Sequence, residues 1–245
     1  MIKINCDIGE RGPENQTDLA LMSHIHIANI ACGGHAGDKH SVEVFRKLAV
    51  ENGVEVAGHL SYPDREDFGR RSLDIPIKEL LISLDEQYQL IADVKLIKFH
   101  GALYNDSVVN RDLAKALASW LKTKGIAEVI APRQSQMAET AAASGIRVLA
   151  EAFAERRYTL HPQTSQPVLV SRSKDYASIR ECDAAVVHTK NIVSNHQVEV
   201  IIENSDGSLE RKMVPLEADT ICIHSDSVIS LELASALSTL LKDTT

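Results

Sequence analysis

The sequence is short of most features that would place it at a glance. Its four cysteines, Cys6, Cys32, Cys182 and Cys222, are scattered and form no CxxC pair, which argues against a zinc ribbon or a redox dithiol. Cys6 and Cys222 lie in apolar runs and are expected in the core; Cys32, in a glycine-rich stretch, is the one with a claim to the surface of a site. No apolar run approaches the roughly 18 residues that mark a bilayer-spanning helix. The opening "MIKINCDIGE" shows neither the basic lead nor the cleavage pattern of a secretory signal, so a cytoplasmic location and no membrane contact are expected. No basic block is present, and a formal charge of −8 with a pI near 5.7 counts against a nucleic-acid partner, whose phosphates call for clustered Lys and Arg. The chain also has no GxxxxGKS/T phosphate loop, no HExxH pair, no solenoid repeat and no low-complexity linker.

What is present is enough apolar content, 44% of 245 residues, to bury one sizeable core, so a single domain over 1–245 is expected. A unit recurs along it: a short apolar strand, a loop rich in Gly, His or Asp, then an amphipathic helix. Strands are expected at Ile2–Cys6, His26–Ala31, Val54–Gly58, Lys95–Phe99, Glu128–Ala131, Arg147–Ala150 and Thr220–Ile223. Helices are expected at Ser41–Glu51, Pro76–Ile91, Arg111–Lys124, Gln134–Ala143 and Val228–Leu241, with Pro76 at a start and Gly53, Gly125 and Gly145 just past ends. Such alternation implies a mostly parallel sheet with helices outside it. "QVEVIIENSDGSLERKMV", Gln197 to Val214, breaks the rhythm and reads as a β-hairpin turning at "NSDG".

The apolar runs share a further property. "IKINCD" stops on Asp7, "VEVAGH" on His59, "KLIKFH" on His100, "IRVLAE" on Glu151 and "TICIH" on His224. Groups from so many strands converge only where all strand ends open on one face, as in a barrel; an open sheet uses fewer of them at one switch point. The fold class expected is therefore α/β, an irregular (β/α) barrel of about seven strands with a hairpin insertion near 197–214.

The loops carry the rest of the chemistry. "NCDIGE" puts Asp7 before a turn at Gly9 with Glu10 close behind; the plain alternative for Asp7 is a helix cap. "NIACGGHAGDKH" brackets His35 with Gly33, Gly34 and Gly37, whose backbone freedom suits close approach to a ligand, while Asp38 reads equally well as a helix cap. "GHLSYPDREDFGRRS" brings Arg70 and Arg71, which either grip a carboxylate or phosphate or simply carry surface charge. In "CIHSDS", His224 and Asp226 stand two apart and face the same way, and Asp226 could also cap the last helix. His24, His26, His161, His188 and His196 lack such placement and read as surface or packing residues. Imidazoles and carboxylates at one mouth serve either a metal that activates water or metal-free acid–base chemistry on a polar substrate.

With these stretches in view, the chain resembles the LamB/YcsF family of 5-oxoprolinase A subunits. The resemblance rests on "NCDIGE", "ANIACGGHAGD", "YPDREDFGRR", "KFHGALYN", "EAFAERRY" and "CIHSD" and runs from Ile4 to the last helix. It implies a barrel related to the glycoside hydrolase/deacetylase superfamily. It also implies ATP-dependent cleavage of 5-oxo-L-proline to L-glutamate, with ATP and Mg2+ as co-substrate and with partner subunits B and C. Carried onto this sequence, Asp7 is the expected general base and His59 and His100 orient water or stabilise the oxyanion. His35, Arg70, Arg71, Glu151, His224 and Asp226 are the expected substrate contacts. By analogy with the deacetylases, Asp7, His59 and His100 instead ligate a divalent ion. The chain departs from the family pattern at Gly34, at "HLSYPD", at Phe99 and at "HSD", all bordering the expected pocket and leaving His35, His59, His100 and Asp226 in place. Two alternatives follow: a metal-dependent deacetylase or amidohydrolase acting alone, and a non-catalytic subunit that delivers substrate.

Overall fold

The computed structural model describes residues 2–242. The strands are β1 (Lys3–Ile8), β2 (Ile27–Ala31), β3 (Glu55–Leu60), β4 (Leu96–Phe99), β5 (Glu128–Ala131), β6 (Arg147–Phe153), β7 (Tyr158–Leu160), β8 (Pro167–Leu169), β9 (Gln197–Glu203), β10 (Leu209–Pro215) and β11 (Thr220–His224). The helices are α1 (Gln16–Leu21), α2 (Lys39–Asn52), α3 (Ile77–Leu90), α4 (Gly101–Val109), α5 (Arg111–Thr123), α6 (Gln136–Ala143), α7 (Cys182–Asn195) and α8 (Ser230–Lys242). Seven strands close into a barrel in the order β1-β11-β6-β5-β4-β3-β2, every neighbouring pair parallel. These are the seven stretches expected from the sequence.

Alternation along the strands sorts residues into two cores. Outward-facing Ile4, Cys6 and Ile8 on β1 join the helices' apolar stripes, including Phe45, Leu84, Leu117 and Leu237, in the main cluster. Full burial of such a side chain is worth roughly 1.5–3 kcal/mol, so this layer holds the helices to the barrel. Inward-facing Ile27, Ala57, Leu96, Ile130 and Leu149 form a separate apolar plug. Two residues further along the same strands the interior turns polar, with Asn29, His59, Lys98 and Glu151. The plug closes one end of the barrel, and the buried polar groups gather toward the end where the strands finish.

Local signals set the helices. The Asp38 side chain accepts from the Ser41 backbone N–H while Ser41 answers the Asp38 N–H, a reciprocal cap that starts α2, and Gly53 ends it in the left-handed region. Asp38 is thus a cap, the plainer of its two readings. α5 buries Leu113, Leu117 and Leu121 at four-residue spacing.

Several boundaries differ from expectation. β1, β3 and β6 run past their anticipated ends, so Asp7, His59 and Glu151 are side chains of the barrel wall rather than of loops. The hairpin β9–β10 forms as expected, but it also pairs through β7 with β8 into a four-stranded side sheet. β7 and β8 have three residues each, too few to show a period, and α7 is rich in β-branched residues that weaken a helical signal. α4 starts directly on His100, where the sequence suggested only a loop. Cys32 is fully buried, its thiol 2.9 Å from the Ile30 carbonyl and pushed up to about 12 by burial, so it is a core residue and no part of a site surface. Among the described residues no helix is long and apolar enough to cross a membrane.

Candidate active site

At the C-terminal end of the barrel strands lies a cavity of about 660 Å³ lined by Asp7, His59, Arg70, Lys98, His100 and His224 among others. A larger cavity of about 880 Å³ lies elsewhere, against α6 and the side sheet, and gathers no comparable set of interacting titratable groups. The barrel mouth, where strand geometry aims polar groups inward, is therefore the candidate site.

Lys98 is the centre of the interior. Leu96, Lys98 and His100 share one face of the β4 stretch, and that face is the inside of the barrel. Its Nζ lies 2.9 Å from Asp7 Oδ1, 2.9 Å from Glu151 Oε1, 3.2 Å from Asn5 Oδ1 and 3.1 Å from Cys222 Sγ. Burial works against the ammonium, and the carboxylates of Asp7 and Glu151 outweigh it, leaving the lysine charged with its pKa well above the usual range. Glu151 accepts in turn from the Tyr104 hydroxyl at 2.7 Å. Asn29 donates to both Asn5 Oδ1 and Asp7 Oδ1 at 2.8 Å, and Asn5 donates to Thr220 Oγ1 at 2.9 Å. The network fixes Asp7 Oδ1 and leaves Oδ2 facing His59 Nε2 at 3.4 Å. Burial alone would raise the Asp7 carboxyl; His59 and Lys98 prevail and hold it well below the usual carboxylate range.

Beside Asp7, consecutive barrel units contribute Glu10, His35, His59 and His100. Glu10 Oε1 is 2.9 Å from His35 Nε2, 3.2 Å from His100 Nδ1 and 3.7 Å from His59 Nε2. His59 Nε2 and His100 Nδ1 are 3.0 Å apart. The rings of His35 and His100 stack at 3.6 Å with planes 3° apart. The loop after β3 clamps them. Phe68 sits at φ 56°, a conformation costly for a non-glycine residue, and this aims its carbonyl at His100 Nε2, 2.9 Å away. Gly69 then passes so close that a Cβ there would lie 2.9 Å from His35 Cβ, and one on Gly101 would collide with the Gly69 carbonyl. Burial pushes His35 down to about 3 and lowers His100 as well. Burial would raise Glu10, but the neighbouring His100 and His35 imidazoles prevail and keep it ionised.

The remaining expected contacts divide. His224 Nδ1 and its backbone N–H both lie 2.7 Å from Glu155 Oε1, and its Nε2 is 3.2 Å from Arg172. Arg70 stands over the Phe68 ring and pairs with Asp226 at 3.3 Å, both half exposed. Arg156 and Arg172 also line the cavity; Arg156 is buried, donates to the Val170 carbonyl, and is lowered by burial to about 10. Arg71 pairs with Asp67 at the surface, away from the cavity lining. His35 is buried behind His100 rather than on the cavity wall, and Glu151 pairs with Lys98 and is not among the residues lining this cavity; it borders a neighbouring one of about 480 Å³ with Tyr104 and Phe153. Asp226 lies in an adjoining recess with His224, Arg156 and Arg172. Of the ligand set Asp7, His59 and His100, only the two histidines belong to the compact group; Glu10 and His35 complete it, and Asp7 Oδ1 is taken by Lys98 and Asn29.

Sequence reasoning passed over Lys98, Glu10, Arg156 and Arg172 as site residues. For Lys98 a signal was available, because a lysine of the same strand parity as His100 points into the barrel. The arginines sit in the long segment around the side sheet, which has no strand period to orient them.

Comparison with known proteins agrees with the barrel fold. The model of the LamB/YcsF family matches residues 2–245. A 5-oxoprolinase A subunit of Pseudomonas syringae pv. tomato, numbered 3 in that organism, is 33% identical, covering 96% of this chain and 91% of that protein. The 5-oxoprolinase A subunit of Staphylococcus haemolyticus is 34% identical, covering 96% and 94%. The crystal structure of a lactam utilization protein from Thermus thermophilus superposes with a TM-score of 0.81 at 27% identity, covering 99% of this chain and 96% of that one.

Proposed function

The chain belongs to the LamB/YcsF family, and from that membership we propose that it is the lactam-holding A subunit of an ATP-dependent 5-oxoprolinase, working with subunits B and C. The observation that carries the reading is the charge layout of the 660 Å³ cavity: Arg70, Arg156 and Arg172 line it together with Asp7 and Lys98, and Lys98 is backed by Glu151. A lactam bearing a carboxylate, together with a transferred phosphoryl group, supplies the anions such a rim would receive.

The coupling to ATP follows from the amide. A five-membered lactam is resonance-stabilised and its ring closes favourably, so water opens it slowly. Transfer of the γ-phosphoryl group of ATP, with Mg2+, to the lactam oxygen releases ADP and makes the ring carbon electrophilic. One water adds to that carbon and gives up a proton. The C–N bond then breaks as the nitrogen takes a proton, leaving an acyl phosphate, and a second water hydrolyses this to glutamate and phosphate. In this scheme Arg70 and Arg172 hold the carboxylate, Lys98 faces the developing oxyanion, and Asp7 with His59 directs the water and carries its proton. Without a GxxxxGKS/T loop in this chain, nucleotide handling falls to the partners.

The test is 5-oxoproline-dependent release of ADP and glutamate by the chain alone and with B and C. Turnover is expected only in the complete mixture. Robust coupled turnover by the isolated chain would refute the division of labour, and none in the complete mixture would refute the substrate. A second reading, a metal-dependent hydrolase of another amide or acylated sugar, is favoured by one observation, the imidazole cluster beside Asp7. ATP-independent hydrolysis of such substrates by the chain alone would establish it instead.

A further inference from the structure

His224 ends β11 with both ring nitrogens committed by their partners. Its Nδ1 and its backbone N–H lie 2.7 Å from the same oxygen, Glu155 Oε1, and Glu155 is buried. A carboxylate that accepts from the backbone N–H accepts from the ring as well, so Nδ1 carries the proton. Nε2 is 3.2 Å from Arg172 Nη2, and a guanidinium only donates, so Nε2 presents its lone pair. The Phe153 ring stacks on the imidazole at 5.6 Å with planes 17° apart and restrains the plane in which that lone pair lies.

Both partners thus specify one tautomer of the neutral ring, the form that takes up a proton at Nε2. A buried carboxylate on Nδ1–H holds an imidazole in that tautomer and stabilises the imidazolium once the proton has arrived. The position suits such a task. His224 is the register partner of Asp7, on adjoining strands β11 and β1, and both line the 660 Å³ cavity. His59 Nε2 and His100 Nδ1 are engaged with each other at 3.0 Å, and Glu10 lies 3.2 Å from the latter. Among the described residues His224 Nε2 has one partner, the exposed Arg172, whose guanidinium is free to turn to an arriving anion.

What meets that lone pair follows from the substrate proposed above, on which this inference rests. In 5-oxoproline the carboxylate carbon and the ring nitrogen are bonded to the same carbon and so lie about 2.5 Å apart. A carboxylate taken by Arg172 therefore brings the ring N–H beside His224, where it replaces the guanidinium as the donor to Nε2. We propose that His224 is the catalytic residue that takes the lactam N–H proton and returns it to the nitrogen, with Glu155 as its positioning residue. As the lactam oxygen attacks the γ-phosphorus, the O–P bond forms and the bond from phosphorus to the ADP oxygen breaks. The N–H electron pair moves into a C=N bond and the proton passes to Nε2. When water adds to the carbon, that pair returns to the nitrogen, which takes its proton back from Nε2. The second proton, needed as the C–N bond breaks, is the one that water gave to Asp7. The new hydroxyl loses its own proton to the emptied Asp7 carboxylate as the acyl carbonyl forms.

Two readouts test this, one on the chain alone and one with subunits B and C. In nitrogen-15 NMR of the full chain labelled in its histidines, His224 is expected as the Nδ1–H tautomer, and Glu155→Gln is expected to show a mixture of both tautomers. With B and C and 5-oxoproline, His224→Gln is expected to lower kcat roughly 100- to 10,000-fold. Binding of 5-oxoproline to that variant chain, read by calorimetry, is expected to stay near wild type. Free imidazole is expected to restore part of the turnover of His224→Ala and to leave wild type unchanged, a recovery that a structural role would not give. Folding of each variant is checked by circular dichroism, and the wild-type tautomer stands without any variant. A wild-type His224 protonated at Nε2 and not at Nδ1 overturns the proposal, as does near wild-type turnover by folded His224→Gln. In that last case the active wild-type mixture leaves the 5-oxoprolinase reading intact. A complete wild-type mixture inactive on 5-oxoproline overturns that reading and this inference together.

Discussion

Lys98 Nζ and Asp7 Oδ1 are 2.9 Å apart inside the barrel, with Glu151 an equal 2.9 Å from the same ammonium. Two carboxylates on one cation, all nearly inaccessible, make a group whose parts are not independently removable. Taking away the cation leaves two buried like charges, whereas taking away one carboxylate leaves a paired ion.

Lys98→Met is accordingly expected to cost about 3–5 kcal/mol of folding stability, the range for a broken buried ion pair. Glu151→Gln is expected to cost distinctly less, since Lys98 keeps Asp7. Denaturant unfolding of both variants checks this. A loss below about 1 kcal/mol for Lys98→Met would mean that the carboxylates find solvent or protons in its absence, and that the network does not organise the barrel interior.

Asp7→Asn separates chemistry from folding. The amide keeps the shape of the side chain, and Lys98 retains Glu151, so the fold is expected to persist. Turnover in the complete mixture with subunits B and C is expected to fall roughly 100- to 10,000-fold, the usual worth of general acid–base help. A fall of only a few-fold, or a fall that tracks a collapse of the melting transition, would leave Asp7 a structural residue.

How far the sequence disclosed this arrangement depends on periodicity. The barrel strands were legible because each is an apolar run ending in a polar group, and that pattern pointed to Asp7, His59, His100, Glu151 and His224 together. It did not disclose that Glu151 and Lys98 neutralise each other, because that contact depends on the strand order and register, in which β5 lies between β4 and β6. His35 was visible between glycines, but its partner Glu10 looked like an ordinary loop acid. The His35 ring that meets it is held by the left-handed turn at Phe68 and Gly69, where the Phe68 ring packs edge-on against both His35 and His100. The side sheet was legible only at β9–β10, where "NSDG" announces the turn.

Arg70 and Arg71 are adjacent in sequence and diverge in space. Arg70 borders the cavity over Phe68, whereas Arg71 lies along Asp67 at the surface. If Arg70 grips the substrate carboxylate, Arg70→Met removes a charge-assisted hydrogen bond worth about 1.5–3 kcal/mol. The expected result is a KM raised roughly 10- to 100-fold with kcat little changed. Arg71→Met is expected to leave both constants near wild type. Equal effects of the two substitutions would show that surface charge, and no specific contact, is being measured.

Acid stability is expected to depend on a histidine outside the site. His188 on α7 is buried, its Nε2 3.2 Å from the carbonyl of Phe153, whose ring lines the cavity. Burial pushes it down to about 4 from the ordinary 6.5; the Phe153 carbonyl only partly opposes this, and the charges of Arg157 and Glu199 lie nearby with opposite signs. The sign follows from proton uptake. Between pH 6.5 and 4 the unfolded chain protonates this imidazole and the folded chain does not, so its share of stability is complete above the upper value and declines as pH falls. The slope approaches about 1.4 kcal/mol per pH unit, or roughly 3 kcal/mol across the window. His188→Gln retains a donor for the Phe153 carbonyl and removes the titration. Denaturant unfolding at pH 7, 6, 5 and 4.5 is therefore expected to show wild type losing stability more steeply than the variant below about pH 6. Parallel curves would mean that His188 takes up its proton in the folded chain as readily as in the unfolded one, and that α7 opens beneath Phe153 to admit it.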